Sequence, residues 1–264
     1  MTNHYHDVSV DVLADTSVTR HNTYSLLCSK LRSRKQRPRP TLMATASDSG
    51  HSFVHRVSPY GNECIREIEY GGTVYGVLLL DEDNVLVAGT VNYIIDKWSI
   101  SQNKVVQQYK QHTDTVIFLI RVDQDHFASC SGDKTVVIWN LKTGKSKTMK
   151  GHKNNVYIMC KISDKYIASG SEDKNVIIWD VQTTKSYKTL SGHTGNICTL
   201  AKVDDKKIAS GGSDKTVRVW DYKTGKTLLV INQEGWVGCV LPYDKNTFFI
   251  SDNVHRIKRW KVDD

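Results

Sequence analysis

The chain of 264 residues lacks any long apolar run. No stretch of about 18 apolar residues occurs, which argues against a membrane-spanning helix. The opening residues MTNHYHDVSVDVLAD contain no basic region followed by an apolar core. We therefore expect no secretory signal. Apolar residues make up 39% of the chain and charged residues 24%, as in an ordinary globular protein.

The sequence also lacks the motifs of metal sites and enzymes. No H-E-x-x-H, G-x-S-x-G or paired-carboxylate arrangement occurs, and no two cysteines form a C-x-x-C pair. The cysteines lie mostly in apolar runs, which predicts small buried side chains in a reducing compartment. We expect no metal, no cofactor, no catalytic residue and an intracellular location, cytoplasmic or nuclear. The six cysteines are Cys28, Cys64, Cys130, Cys160, Cys198 and Cys239.

Tryptophan recurs along the chain at a nearly constant step. The successive gaps are 41, 40, 41 and 40 residues. A period of this size indicates an array of one supersecondary unit. Such arrays present surfaces to partners more often than they carry out chemistry. The five periodic positions are Trp98, Trp139, Trp179, Trp220 and Trp260.

Each period predicts four short β-strands. In the copy that ends at Asp180, residues 145–151, 155–163, 166–171 and 175–180 are rich in Val, Ile, Tyr and Trp. Gly, Asp, Asn and Lys separate them, as expected of turns. A single four-stranded unit cannot bury both of its faces. Stacking the units radially around an axis covers each face with a neighbour, which predicts an all-β propeller.

Three copies share a His, a Ser, an Asp and a Trp at fixed offsets, and in the copies that end at Asp180 and Asp221 the set reads G-H…S…D…W-D. This pattern resembles the WD40 repeat family. The resemblance implies that the His, Ser, Asp and Trp of each copy form a buried hydrogen-bonded network with a structural role. The sets are His112, Ser129, Asp133 and Trp139; His152, Ser169, Asp173 and Trp179; and His193, Ser210, Asp214 and Trp220.

Two further copies depart from the pattern. The copy that ends at Trp98 has Tyr70 near the histidine position and Asn92 at the aspartate position. The copy that ends at Trp260 has Gln233 and Val254 at those two positions.

The residues before these copies supply one more blade. Residues 42–47 fit its second strand, and Val57, one period before Trp98, falls in its third. Residues 22–31 fit its first strand, so residues 32–40 become a basic loop insertion. Residues 8–14 can then complete the last blade, which predicts six four-stranded blades in one domain over 1–264. An incomplete or seven-bladed ring is the alternative, with 1–40 as a disordered tail and 41–264 as the propeller.

Partners of WD40 proteins often dock on the face where the inner strands begin, around the central channel. The resemblance places one residue of each inner strand there, directly after its first apolar position. Aromatic residues at a channel mouth suit protein binding. The candidate protein-binding face comprises Tyr24, Tyr75, Ile117, Tyr157, Cys198 and Gly238, with Trp236 adjacent.

A second candidate surface is a basic loop that contains no acid. It supplies much of the net charge of +8 and could bind nucleic acid, an anionic membrane or an acidic protein, or serve nuclear import. The alternative is a solvated, disordered insertion without a binding role. It has no interleaved aromatic residue, which argues against base stacking. This electrostatic loop comprises Lys30, Arg32, Arg34, Lys35, Arg37 and Arg39.

These features predict a non-catalytic scaffold or adaptor: a monomeric propeller that binds other proteins or peptides within a complex. Some WD40 proteins use a W-D-x-R sequence as substrate receptors of cullin-type ubiquitin ligases. The nearest match here begins at Trp220 and has Lys223 in place of arginine. The alternative function is an RNA- or chromatin-associated propeller that binds through the basic loop.

Overall fold

The computed structural model describes residues 41–46, 50–58, 61–90, 92–244, 247–253 and 257–261. Within these ranges the chain forms 22 β-strands, and no helix is long and apolar enough to cross a membrane. Every pairing joins strands consecutive in sequence and is antiparallel. The strands form six sheets, two with three described strands and four with four.

The six sheets are the blades of a propeller, numbered here in chain order. The first blade contains β1 (Thr41–Ala46), β2 (His51–Ser58) and β3 (Gly61–Glu69); the second contains β4 (Val74–Leu79), β5 (Asn84–Gly89), β6 (Ile95–Ser99) and β7 (Lys104–Tyr109). The third contains β8 (Val116–Arg121), β9 (His126–Ser131), β10 (Thr135–Asn140) and β11 (Ser146–Lys150). The fourth contains β12 (Val156–Lys161), β13 (Tyr166–Ser171), β14 (Val176–Asp180) and β15 (Ser186–Leu190). The fifth contains β16 (Ile197–Lys202), β17 (Lys207–Gly212), β18 (Thr216–Asp221) and β19 (Thr227–Asn232); the sixth contains β20 (Val237–Pro242), β21 (Thr247–Asp252) and β22 (Ile257–Lys261).

The first strands of successive blades lie next to one another, so β4, β8, β12, β16 and β20 follow in order around an axis. This arrangement confirms the predicted all-β propeller with six blades. The predicted strands over 145–151, 155–163, 166–171 and 175–180 correspond to β11, β12, β13 and β14. Their boundaries differ by at most two residues.

The sequence repeat and the structural blade are offset by one strand. The first strand of the repeat that ends at Asp180 is β11, which pairs with β10 as the outer strand of the third blade. A blade therefore combines three strands of one repeat with the first strand of the next. The loop after β11, which carries His152, therefore joins the third blade to the fourth.

The end blades match the prediction only where the structure describes them. β1 and β2 coincide with the predicted second and third strands of the first blade. The predicted first strand (22–31), the basic insertion (32–40) and the closing strand (8–14) lie outside the described residues. The single-domain assignment and closure by residues 8–14 stay predictions.

The core lies between blades. Val136 and Ile138 of β10 pack with Trp179 of the following blade. Val137 and Trp139, the alternate residues of the same strand, pack with the preceding blade. Successive side chains of a strand point to opposite faces, so each blade uses both faces to bind its neighbours.

Glycine permits the closest approach between blades. A Cβ atom built on Gly211 of β17 would lie 2.4 Å from a methyl carbon of Val237, in the first strand of the sixth blade. Gly170 of β13 meets Ile197 of the fifth blade at the same distance. Any larger residue would push the second strand away from the neighbouring first strand.

We expect Gly211→Ala to lower the free energy of unfolding by about 1–3 kcal/mol, since it overpacks this contact. Denaturant unfolding measures the change. The matched control is Gly238→Ala, whose added carbon meets nothing closer than 3.8 Å. Equal stability of the two variants would contradict the proposed clash.

Candidate functional site

A chain of hydrogen bonds connects four side chains in the third blade. The indole Nε1–H of Trp139 donates to Ser129 Oγ at 2.7 Å. Ser129 Oγ lies 2.7 Å from Nε2 of His112, and Nδ1 of His112 lies 2.7 Å from Asp133 Oδ2. Ser129 and Trp139 lie on neighbouring strands, His112 in the loop between the second and third blades, and Asp133 in the turn between β9 and β10. The structure brings them together.

The carboxylate at the end of this chain ties two loops together. Asp133 also accepts hydrogen bonds from the backbone N–H groups of Thr113, at 3.1 Å, and Thr135, at 2.9 Å. Thr113 belongs to the loop from the previous blade, and Asp133 and Thr135 flank the turn between β9 and β10. The network thereby fixes both loops on one face of the propeller.

The fourth and fifth blades repeat this geometry. In both, every link of the Trp–Ser–His–Asp chain measures 2.7–2.9 Å. The residues are His152, Ser169, Asp173 and Trp179 in the fourth blade, and His193, Ser210, Asp214 and Trp220 in the fifth.

In each network every donor has one acceptor when the histidine is neutral. The indole N–H donates to serine, the serine hydroxyl donates to Nε2, and Nδ1–H donates to the carboxylate. Burial lowers the pKa of His152 and His193 and outweighs the nearby carboxylates. Burial by itself would raise the pKa of Asp133, but hydrogen bonds led by His112 lower it to about 2.

The order Ser–His–Asp is also that of a hydrolytic triad, but these networks are closed to substrate. The serine side chains are completely buried, and each serine oxygen already accepts the indole hydrogen. A nucleophile must reach a reacting carbon. Among the described residues no group of three or more His, Cys, Asp or Glu side chains is placed to hold a metal ion.

The second blade lacks the network because it has no serine at the central position, and its turn also has a different length. Pairing of Trp98 with Val85 places Val87 where the other blades have serine. Trp98 Nε1 is buried and has no partner among the described residues. The turn after β5 is one residue longer, so the equal-spacing assignment of Asn92 to the aspartate position is wrong. Asn92 and Tyr93 both adopt positive φ within that turn, at 50° and 57°.

The sixth blade replaces the network with a simpler link. Ile250 takes the serine position. Asn253 Oδ1 accepts from the backbone N–H of Trp236 at 2.8 Å, and Asn253 N–H donates to the Trp236 carbonyl at 3.1 Å. Asn253 therefore joins the loop before β20 to the turn after β21. Val254 lies outside the described residues.

The candidate face residues occupy equivalent positions in five blades. In each first strand the register with the second strand shifts at one residue, as in a β-bulge. A bulge turns its side chain away from the regular sheet direction. Sequence reasoning had no signal for these bulges. The bulged residues are Tyr75, Ile117, Tyr157, Cys198 and Gly238.

These positions differ in size and exposure. Tyr75, Ile117 and Tyr157 are half-buried, and the Tyr157 hydroxyl donates to Glu172 at 3.2 Å. Cys198 and Gly238 are exposed. Tyr24 lies outside the described residues. So does the whole electrostatic loop of Lys30, Arg32, Arg34, Lys35, Arg37 and Arg39.

Three lysines on this face were missed by sequence reasoning. Lys134, Lys174 and Lys215 follow the network aspartates and adopt left-handed φ values of 70°, 70° and 63°. All three are exposed. Non-glycine residues rarely adopt this conformation, and here the turn imposes it. The repeated string D-K is the signal that could have found them.

Known proteins with the same kind of repeat are similar in sequence to the middle of this chain. The profile of the family described as WD domain, G-beta repeat matches residues 103–140, 144–180 and 184–221. A similar protein is the WD repeat-containing protein 89 homolog of Dictyostelium discoideum, 31% identical over 98 residues. The alignment covers 37% of this chain and only 25% of that protein's length. Residues 103–221 therefore carry three WD40 repeats.

We expect Asp173→Ala to lower the free energy of unfolding by about 2–4 kcal/mol, because buried donors lose their acceptor. The donors include His152 Nδ1 at 2.9 Å and Lys153 N–H at 2.8 Å. Asp164→Ala is the control, since its ion pair with Lys161 is exposed and should contribute less than about 1 kcal/mol. An Asp173→Ala protein as stable as this control would show that the network contributes nothing.

Stability should also fall with acid. His152 and His193 have folded pKa values below the unfolded value of about 6.5, so their contribution is complete above that pH and is lost as pH falls below it. The pKa of Asp133 is also lower in the folded state, so stability falls further between about pH 4 and pH 2. Urea unfolding at a series of pH values measures this dependence. In His193→Gln, the free energy of unfolding should fall less steeply as the pH drops below about 6.5. An unchanged slope in that variant would contradict a neutral buried His193.

Proposed function

We propose that this protein is a non-catalytic scaffold that binds other proteins through the face carrying the bulged residues. The observation that supports this most strongly is the equivalent placement of Tyr75, Ile117 and Tyr157 on the face that also carries the exposed Trp236. WD40 domains typically bind other proteins, and exposed aromatic side chains are typical of binding hot spots.

The networks prepare this face for binding. Each links a loop between blades to a turn within a blade, so the loops are ordered before a partner arrives. Binding energy is then not spent on ordering them. A monomeric propeller that contributes this face to an intracellular complex, in the cytoplasm or the nucleus, is the simplest form of the proposal.

A more specific form is a substrate receptor of a cullin-type ubiquitin ligase. Of the four residues that begin at Trp220, Trp220 and Tyr222 are buried and Lys223 alone is exposed. Lysine cannot form the paired hydrogen bonds of arginine. The general scaffold is therefore the better supported form.

Binding to RNA or chromatin is the second candidate function. Its support is the sequence of the loop from Lys30 to Arg39, with six cations and no acid. Such binding would weaken steeply with salt, because neutralised phosphates release counterions.

The test is affinity purification of the tagged chain from its own cells, with and without nuclease. We expect defined proteins to persist after nuclease and to be lost from a Tyr157→Ala/Trp236→Ala variant, while Leu228→Ala retains them. Leu228 is a comparable control, exposed at 46% on the outer strand β19. Partners that vanish with nuclease, or that survive the double variant, would contradict the proposal.

A further inference from the structure

The sixth blade breaks the repeat at one residue of the candidate face. The residue directly before each first strand is small, polar and half-buried in the preceding four blades: Thr73, Thr115, Asn155 and Asn196. Its backbone carbonyl in each accepts an N–H from the turn beyond the second strand. In the sixth blade Trp236 occupies this position, keeps the backbone bond and exposes 55% of its surface.

Trp236 is positioned but not covered. Hydrogen bonds on both sides of its peptide unit, 2.8 and 3.1 Å long, fix its backbone to Asn253. Val237, directly after it, is completely buried against the fifth blade. An aromatic side chain on a fixed backbone loses little conformational freedom when it binds. Core packing does not require this side chain, and it exposes a large apolar surface on this face.

The surface beside Trp236 is recessed because the neighbouring bulged positions carry small residues. The bulged positions of the fifth and sixth blades hold Cys198 and Gly238, whereas the second to fourth blades hold a tyrosine or isoleucine there. A Cβ atom on Gly238 would meet nothing closer than 3.8 Å. Missing side chains beside an exposed indole leave room for an apolar side chain of a partner.

A positively charged residue of the fifth blade lies near Trp236. The backbone carbonyl of Lys215 accepts a hydrogen bond from Gln233 N–H at 2.7 Å, and Gln233 precedes Trp236 by only three residues. At the reach of an extended chain, this separates Gln233 from Trp236 by at most about 11 Å. Glu234, two residues before Trp236, lies 3.3 Å from Lys258, which offsets its charge.

The positive charge extends over the neighbouring blades. Lys174 and Lys134 occupy the position of Lys215 in the fourth and third blades, and both are exposed. None of the three ammonium groups forms an ion pair with another described residue. The side chains of the network aspartates that precede them are buried and hydrogen-bonded, so the three exposed lysines form a basic arc that leads toward Trp236.

We propose, building on the scaffold function above, that this face binds an acidic linear peptide. An apolar side chain of the peptide packs on Trp236 above Gly238, and its carboxylates lie along the basic arc. A polypeptide fits better than a nucleic acid because Asp114 and Glu172 share this face. A continuous phosphate backbone cannot avoid them, whereas a peptide can place its few carboxylates at the lysines. A single exposed tryptophan also falls short of the stacking platform that single strands need.

The experiment selects peptides from a displayed random library with the full chain. Affinities of synthetic peptides are then measured by fluorescence anisotropy. We expect an excess of Asp and Glu next to an aromatic or aliphatic residue, and weaker binding at higher salt. Trp236→Ala should weaken binding by at least about tenfold and Lys215→Gln by several-fold. Thermal unfolding of each variant shows that its fold is retained.

Matched control substitutions lie away from Trp236 and the basic arc. Leu228→Ala removes another exposed apolar side chain from the outer strand, and Lys226→Gln removes an exposed lysine from the turn between β18 and β19. Both should leave the affinity unchanged.

Four outcomes would overturn the proposal. The first is selection of peptides with basic or no net charge, and the second is recovery of no peptide. The third is peptides that lose affinity in Tyr157→Ala and keep it in Trp236→Ala, which leaves the scaffold function standing while this inference fails. The fourth involves nucleic acid. Binding of a single-stranded oligonucleotide alone, with no peptide or protein, would contradict both.

Discussion

Face-to-face packing between blades is the constraint on which the rest of this structure depends. A small antiparallel sheet with two apolar faces is not stable in water unless both are covered. In β10 the alternation of Val136, Val137, Ile138 and Trp139 sends apolar side chains to both neighbours. Glycine at Gly170 and Gly211 then lets each second strand approach the next first strand closely. No blade has a core of its own, and the array is the stable unit.

Polar networks convert that packing into a defined surface. Burying an indole, a hydroxyl and an imidazole is costly unless each finds a partner, and the chain from Trp139 to Asp133 satisfies all of them. The last acceptor lies in a turn at the edge of the propeller. A requirement of the interior thereby fixes the loops that a partner would meet. Where the network is absent, as at Trp98, one buried donor has no partner in the part of the chain that the structure describes.

Much of the fold could be predicted because one period governs both local pattern and tertiary packing. The spacing of Trp139, Trp179 and Trp220 fixed the strand positions within two residues. Equal spacing failed at Asn92, because a turn can gain a residue without disturbing the strands it joins. The offset between repeat and blade was also hidden, since period alone does not say where a unit begins. Bulges at Tyr75 and Tyr157 depend on hydrogen-bond register, which residue types do not reveal.

The offset between repeat and blade has a consequence for synthesis on the ribosome. The chain emerges from its N-terminus, so β8 to β11 can pair before β12 has been made. Their side chains Val136, Ile138 and Met149 then have no covering sheet, because their partners are Ile177 and Trp179 of the next blade. At every stage of elongation the newest blade presents an apolar face that only later residues can cover. Transiently exposed surfaces of this kind favour association with other chains, so this protein gains from rapid, uninterrupted translation or from a chaperone that shields the growing end.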